Sequence, residues 1–394
     1  MGTNRTDSQV KFCLYCTKDF GDGSREHFVP QALGVSVPTN PFLITNVCDR
    51  CNKLLGKFVD GPFSRNFLIQ NHRANLSRRF VNLSVGEAMP LSYMGNINKS
   101  IEYVGHDCDF YIGPTGDAVY HFHLPYPELH FGGGPESVPF TFPSNTFDPG
   151  FVMLVVRATN PIWNKTIKNS VKNQFIQETK IYVVNRIVTP ESKLLAMPVE
   201  LEDLKNKIVN LGGKHEVQTT VNLDFDAREI AKMALGFGYL VMGDAFARSK
   251  DAQTIRDLLW AKSPEEKTKT IVRGAGVFSN QDASKDPVGW DSGHVFLLKD
   301  VGEALALHVN LFGQISATIQ ISSDQSLWMG KILSEGTIYI LAPGLRKSVG
   351  PISVGDYLVV KGGHARSSEA FACLLDEANA SPIQPPFDLP NEIS

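Results

Sequence analysis

Four of the six cysteines in this 394-residue chain fall into two Cys-x-x-Cys pairs, Cys13/Cys16 and Cys48/Cys51. Two such pairs, each forming a tight knuckle, can converge on one tetrahedral zinc ion. A site made only of thiolates leaves zinc no open position, so this metal is expected to be structural and the chemistry to lie elsewhere. Between the pairs stands Arg25-Glu26-His27-Phe28-Val29-Pro30, and the second pair has Asn46 before it and Asn52 directly after it. Hydrolysing a phosphodiester needs a base to activate water and a divalent cation to stabilise charge on the phosphate and the leaving oxygen. His27 suits the base, because imidazole titrates near neutrality. Glu26 and Asn52 offer hard oxygen ligands for Mg²⁺ or Mn²⁺, with the remaining positions left to water and phosphate. Neighbours on a strand point to opposite faces, so Glu26 and His27 share one small site only where the backbone bends or both side chains reach round its edge.

Over about residues 11 to 62 this pattern resembles the HNH (ββα-metal) endonuclease superfamily, especially its four-cysteine members of the phage recombination endonuclease VII type. In that family an acidic-His pair on a β-hairpin lies between the zinc knuckles, a central Asn precedes the second knuckle, and the following helix supplies a final His or Asn. The resemblance implies a zinc-stabilised, treble-clef-like ββα-metal module. It also implies Glu26 as a metal ligand, His27 as general base, Asn46 as the residue that orients the hairpin, and Asn52 as a metal ligand where many members carry His. Asp60 follows Asn52 by about two helical turns and shares its face if the helix continues through Gly56. It is a further candidate for the catalytic metal, with helix-end solvation as the alternative.

Charge is unevenly placed. Residues 1–80 carry 11 Lys and Arg against 6 Asp and Glu, while the remainder carries 27 against 35. A basic end is where a phosphate backbone docks, which makes Arg25, Lys53, Lys57, Arg73, Arg78 and Arg79 the candidate nucleic-acid contacts and DNA the expected partner. His72 is either a further phosphate contact or an inert surface residue. The competing reading is a catalytically inactive zinc-dependent DNA-binding or scaffold protein that keeps the four-cysteine fold.

The elements that must position these groups read as α+β. With 42% hydrophobic and 20% charged residues, no long apolar run and no signal-peptide core, the chain is expected to be cytoplasmic and without a membrane partner. A nuclease module over residues 1–62 has little apolar core and is expected to need its metal to fold. A basic connector or helix over 63–80 is expected to lie beside it. A larger mixed α+β domain spans 81–378, and a Pro-rich tail 379–394 is expected to be extended.

Within the larger domain, apolar or alternating runs predict strands at Lys99–Val104, Cys108–Gly113, Ala118–Leu124, Phe151–Ala158 and Lys180–Val188. Further strands are predicted at Gly293–Leu298, Ala304–Leu311, Ile315–Ile321 and Gly336–Ala342, with Phe312-Gly313-Gln314 as a hairpin turn. Helical periodicity runs over Ala227–Ala247, capped by Asp226, and over Asp251–Ala261. Cys108 and Cys373 read as buried thiols. His121, His123 and His130 are not expected to form a second metal site, and neither Gly132–Gly134 nor Gly274-x-Gly276 is followed by the residues of a nucleotide loop. The acidic C-terminal domain is expected to recognise a target, a protein or nucleotide signal, or a second copy of the chain, in the manner of a bacterial phage-defence or restriction nuclease.

Overall fold

The computed structural model describes residues 11–21, 23–35, 37–38, 40–80, 86–125, 150–157, 161–175, 179–184, 197–212, 214–219, 223–261, 266, 274–275 and 286–380. His130, Gly132–Gly134, Gly276 and the tail from residue 381 lie outside the described residues. The chain forms two compact units, one holding the residues up to Ser64 together with 223–380, the other those from Arg65 to 219.

The first unit begins with β1 (Lys11–Phe12) paired antiparallel to β2 (Asp19–Phe20), with Cys13 and Cys16 in the turn between them. A hairpin follows, β3 (Gly23–His27) against β4 (Leu43–Cys48), with a register shift between Ser24 and Glu26. Helix α1 (Asp49–Leu55) starts directly from β4, its first turn capped by the Cys48 sulfur, which accepts from the Cys51 amide. A π-helical turn, Gly56–Asp60, then leads into α2 (Gly61–Arg65).

The second unit opens with α3 (Phe67–Phe80), whose Asn71 amide donates to the Tyr93 carbonyl at 2.8 Å. The expected basic connector is therefore a helix laid on the sheet of its own unit. That sheet runs in the order β5 (Ser92–Asn96), β6 (Asp107–Ile112), β7 (Ala118–His123), β8 (Phe151–Val155), β9 (Lys180–Val183). All its pairs are antiparallel except β8–β9, which is parallel and connected through α4 (Pro161–Gln174). Helix α5 (Glu202–Leu211) buries Leu204 and Ile208 against one face, and α4 buries Ile167 and Val171 against the other. Neither helix was anticipated. Residues 99–104 are not a strand: the chain turns there, with an isolated bridge from Tyr103 to His106.

The first unit resumes with α6 (Leu223–Met242), α7 (Asp244–Ala247) and α8 (Lys250–Leu259). Asp226 lies inside α6 rather than capping it; an acid suits the first turn of a helix as well as its cap, because both face the positive end of the macrodipole. The periodic run to Ala247 is broken at Gly243, whose φ of 65° is left-handed. A six-stranded antiparallel sheet completes the unit, in the order β10 (Gly274–Ala275), β13 (Ile315–Ser322), β12 (Leu305–Leu311), β11 (His294–Asp300), β14 (Thr337–Ala342), β15 (Lys347–Ser353). The β12–β13 hairpin turns through Phe312 and Gly313 with φ of 58° and 67°. Cys108 is buried as expected, but Cys373 is exposed on the terminal helix Glu369–Ala380.

The boundary expected near residue 62, with one body over 81–378, is therefore drawn differently, and the reason is packing. Phe28, from the segment after β3, is fully buried with its ring 5.9 Å from Phe42 and 5.0 Å from Phe237 of α6. Phe237 continues the contact to Phe296 at 5.2 Å and Tyr339 at 5.7 Å on the sheet. The zinc-knuckle backbone is held the same way, with the Leu14 carbonyl accepting from Arg256 at 3.1 Å and that of Tyr15 from Trp260 at 2.8 Å. The N-terminal module has an apolar core after all, and it shares that core with residues far downstream.

Gly236 makes the contact possible, since a Cβ there would sit 2.1 Å from Cγ of Phe28. Helix propensity alone would make Gly236→Ala stabilising by about 1 kcal/mol. Overpacking against a buried ring opposes this, and we expect a net loss of about 1–3 kcal/mol in urea unfolding. A stabilised variant would show that Phe28 does not pack there.

Candidate active site and zinc centre

The four cysteines expected to hold zinc are brought together by the two turns that frame the hairpin. Their sulfurs all lie within 4.8 Å of one another, and among the described residues this is the one His/Cys/Asp/Glu group that converges in this way. Cys13 and Cys51 are buried, Cys16 and Cys48 partly so. Main-chain amides are directed at the sulfurs, Cys48 N to Cys13 Sγ at 3.4 Å and Cys51 N to Cys48 Sγ at 3.5 Å. Four soft donors at this spacing, supported by N–H groups, fit a closed structural zinc site.

Glu26 and His27 stand side by side on β3 and, as alternation requires, part company. Glu26 is buried at 4% exposure and turns inward, while His27 is half-buried. The inward carboxylate meets a cation of the chain itself. It forms an ion pair at 2.6 Å with Lys232 of α6, and the same ammonium lies 2.5 Å from Asp60. The π-helical turn is what aims Asp60 here, because a π turn shifts the helical register that the Asn52–Asp60 spacing presumes. One helical turn before Lys232 on α6 lies Glu229, fully buried. Asp60 stands against Glu229, and the two carboxyls are in side-chain hydrogen-bond contact, which asks for a proton on one of them.

Electrostatics follow from this arrangement. Burial pushes Glu26 up to about 7, with Lys232 opposing the shift and Asp60 adding to it. Burial and then the Asp60 charge carry Glu229 well above the ordinary carboxylate range. Burial by itself would neutralise Lys232, but Asp60, Glu229 and Glu26 together outweigh it and hold the ammonium charged. His27 is lowered by burial first, then by the positive charges of Lys232 and Arg25, so it is a neutral imidazole at pH 7. Its Nδ1 lies 3.1 Å from the Gln31 amide nitrogen, which donates to it and so marks Nδ1 as the nitrogen with the lone pair.

The asparagines divide their work differently from the expectation. Asn52 Nδ2 donates to the Arg25 carbonyl at 3.2 Å, tying α1 to the hairpin at its register shift. Asn46 acts through its main chain, its carbonyl accepting from Leu14 N at 2.8 Å and so joining β4 to the first knuckle. The hairpin-orienting contact assigned to Asn46 is thus made by the side chain of Asn52.

The basic residues are not one set. Arg25, Lys53 and Lys57 are exposed on the module, with Lys53 paired to Asp49 at 2.6 Å. Arg73, Arg78, Arg79 and His72 sit on α3 in the second unit. There Arg78 donates to Ser92 at 3.0 Å, and Arg73 and Arg78 are both partly buried, which lowers them. His121 and His123 are buried on β7, where His123 bonds Asp109 at 3.2 Å and the Leu124 carbonyl at 2.7 Å.

Lys232 and Glu229 were missed in the sequence. The available signal was two opposite charges three residues apart inside the apolar run Ile230–Val241 and its approach, where ordinary helix burial has no place for them.

Residues 13–68 match the family model described as HNH endonuclease. This segment contains the four cysteines, the hairpin with Glu26 and His27, Asn52 and Asp60, and the match supports a nuclease function in general terms. No curated protein and no solved structure matches the chain, so the finer likeness to recombination endonuclease VII has no matched relative behind it. Among the described residues no helix is long and apolar enough to cross a membrane.

Because both turns of the zinc centre also anchor the hairpin, Cys51→Ser is expected to lose the bound metal, about one zinc per chain in the parent protein, and to lower the thermal midpoint. Metal analysis and thermal unfolding decide this; a variant that keeps its zinc and its midpoint would show that the four sulfurs do not bind one ion.

Proposed function

We propose that this chain is a metal-dependent endonuclease that hydrolyses phosphodiester bonds in DNA, with His27 as general base. The observation that carries the reading is the matched segment itself, folded as hairpin and helix with a neutral, half-exposed imidazole next to a buried acidic cluster. Glu26, Asp60 and the side-chain oxygen of Asn52 are the hard donors of the matched segment suited to Mg²⁺ or Mn²⁺. Such an ion, when bound, supplies positive charge where negative charge builds on the phosphate and the leaving oxygen. His27 takes the proton of the attacking water at Nδ1, once that nitrogen is released by Gln31. Lowering of its basicity by burial and by Lys232 keeps it unprotonated and ready at neutral pH. Arg25 and Lys57, exposed on the same module, contact the phosphate backbone.

Residues 223–380 then do two things. They complete the core under the hairpin, and, with the rest of residues 81–378, they recognise a target, a protein or nucleotide signal, or a second copy, as in a defence or restriction nuclease. A second reading has support from the Lys232 pairing, since a zinc-dependent DNA-binding protein without catalysis would also need a counter-ion for Glu26 and Asp60.

One experiment separates the two. His27→Ala is expected to reduce Mg²⁺- or Mn²⁺-dependent cleavage of plasmid DNA by about 10²–10⁴-fold while zinc content and thermal midpoint stay unchanged. In the parent protein the acid limb of the cleavage profile should fall below pH 6.5, because the imidazole is lowered and stays basic through that range. Salt-sensitive DNA binding without nicking under Mg²⁺, Mn²⁺ or Ni²⁺ would favour the binding protein, and full activity in His27→Ala would remove the role given to that residue.

A further inference from the structure

The first cysteine knuckle is held from outside the family-matched segment. Within Cys13-Leu14-Tyr15-Cys16 both intervening carbonyls accept from buried side chains, Leu14 from Arg256 Nη1 of α8 at 3.1 Å and Tyr15 from Nε1 of Trp260, just past the end of α8, at 2.8 Å. On the other side of Cys13, the Arg248 guanidinium lies over the Phe12 ring, 4.1 Å from its centroid. Arg256 is itself fixed, since Nη1 also donates to the Ala247 carbonyl at 2.9 Å and Nε donates to Gln253 at 3.2 Å. Its charge is within electrostatic reach of Cys13 and Cys16. The opposite end of α8 is anchored to the sheet, where Asp251 accepts from the Ser322 hydroxyl at 2.9 Å and the Ser323 amide at 2.7 Å. The second knuckle has a local support, because Cys48 caps α1.

We propose that Arg256 and Trp260 are positioning residues of the zinc centre: together they set the first thiolate pair, and Arg256 is also a counter-charge to the loaded site. The inference rests on the reading of the four cysteines as one zinc site and is independent of the nuclease reading. Four thiolates around Zn²⁺ leave the centre with a net negative charge. A buried guanidinium beside it offsets that charge where water screens little. The two carbonyl contacts fix the turn that presents Cys13 and Cys16, as outer hydrogen bonds do for metal ligands in general. Retention of the ion thus depends on a helix that the chain supplies 242 residues after Leu14, and α8 joins the sheet to the metal that frames the hairpin.

The test reads zinc release from the full-length zinc-loaded protein to the chelator pyridylazoresorcinol, beside the sulfur-to-metal charge-transfer band of protein produced with Co²⁺ in place of zinc. Arg256→Gln keeps an amide donor and removes the charge. Its zinc release is expected to be on the order of tenfold faster, and its Co²⁺ band to move to longer wavelength, because the sulfur electrons are held less tightly without the guanidinium. Arg256→Lys restores the charge and is expected to reverse most of both changes. Trp260→Phe keeps an aromatic ring, loses the Tyr15 contact and is expected to release zinc several-fold faster; it also serves if Arg256→Gln does not fold. A merely structural Arg256 would lower the thermal midpoint and leave the Co²⁺ band in place. An unmoved band or unchanged release in folded Arg256→Gln, or unchanged release in Trp260→Phe, would overturn the proposal. A parent protein that holds no zinc would remove the four-sulfur reading and the proposal with it, whereas a zinc-loaded parent with unaffected variants removes the proposal alone.

Discussion

One buried ammonium organises this protein. Lys232 sits without solvent between Glu26 and Asp60, and a charge in that position is costly unless it is well paired. The two carboxylates meet this demand, and the lysine in turn relieves two acids drawn out of water by the packing of the hairpin. Removing any one member would leave the others uncompensated. The hairpin, the π-helical turn and α6 are therefore locked to one another, although the first two lie near the start of the chain and the third well beyond its middle.

An apolar lock runs alongside the ionic one. Phe28 lies against Gly236 and Phe237, and Phe237 reaches Phe296 and Tyr339 on the sheet. Arg256 and Trp260 hold the carbonyls of the first knuckle. A zinc module of this size has too small a core to be rigid by itself. A zinc ion held by the four sulfurs would fix the local turns, and the helix-and-sheet body behind them provides the rigidity of the hairpin that carries His27.

The zinc ligands were legible because Cys-x-x-Cys is a local device: two thiols on one turn are near each other however the rest folds. Glu26 and His27 were legible as a pair, but their separation onto buried and half-exposed sides depended on what covered the hairpin. Asn52, and not Asn46, makes the side-chain contact to the hairpin, because the register shift between Ser24 and Glu26 leaves the Arg25 carbonyl to accept from α1. Strands β11 to β14 followed from their hydrophobic runs, whereas α4 and α5 did not, since their apolar residues are sparse and become a face only once a sheet is beneath them.

By itself, then, the sequence determined the four-cysteine metal site, the acidic-His motif between its halves and the α+β class, all of which rest on spacing over a few residues. Tertiary structure alone decided that the nuclease segment shares a core with residues 223–380, that α3 belongs to another unit, and that Lys232 and Glu229 stand among the acids of the site. Those outcomes are long-range pairings of a buried charge and a buried ring. No local pattern encodes them, because the partner that makes each favourable is supplied by a distant part of the chain.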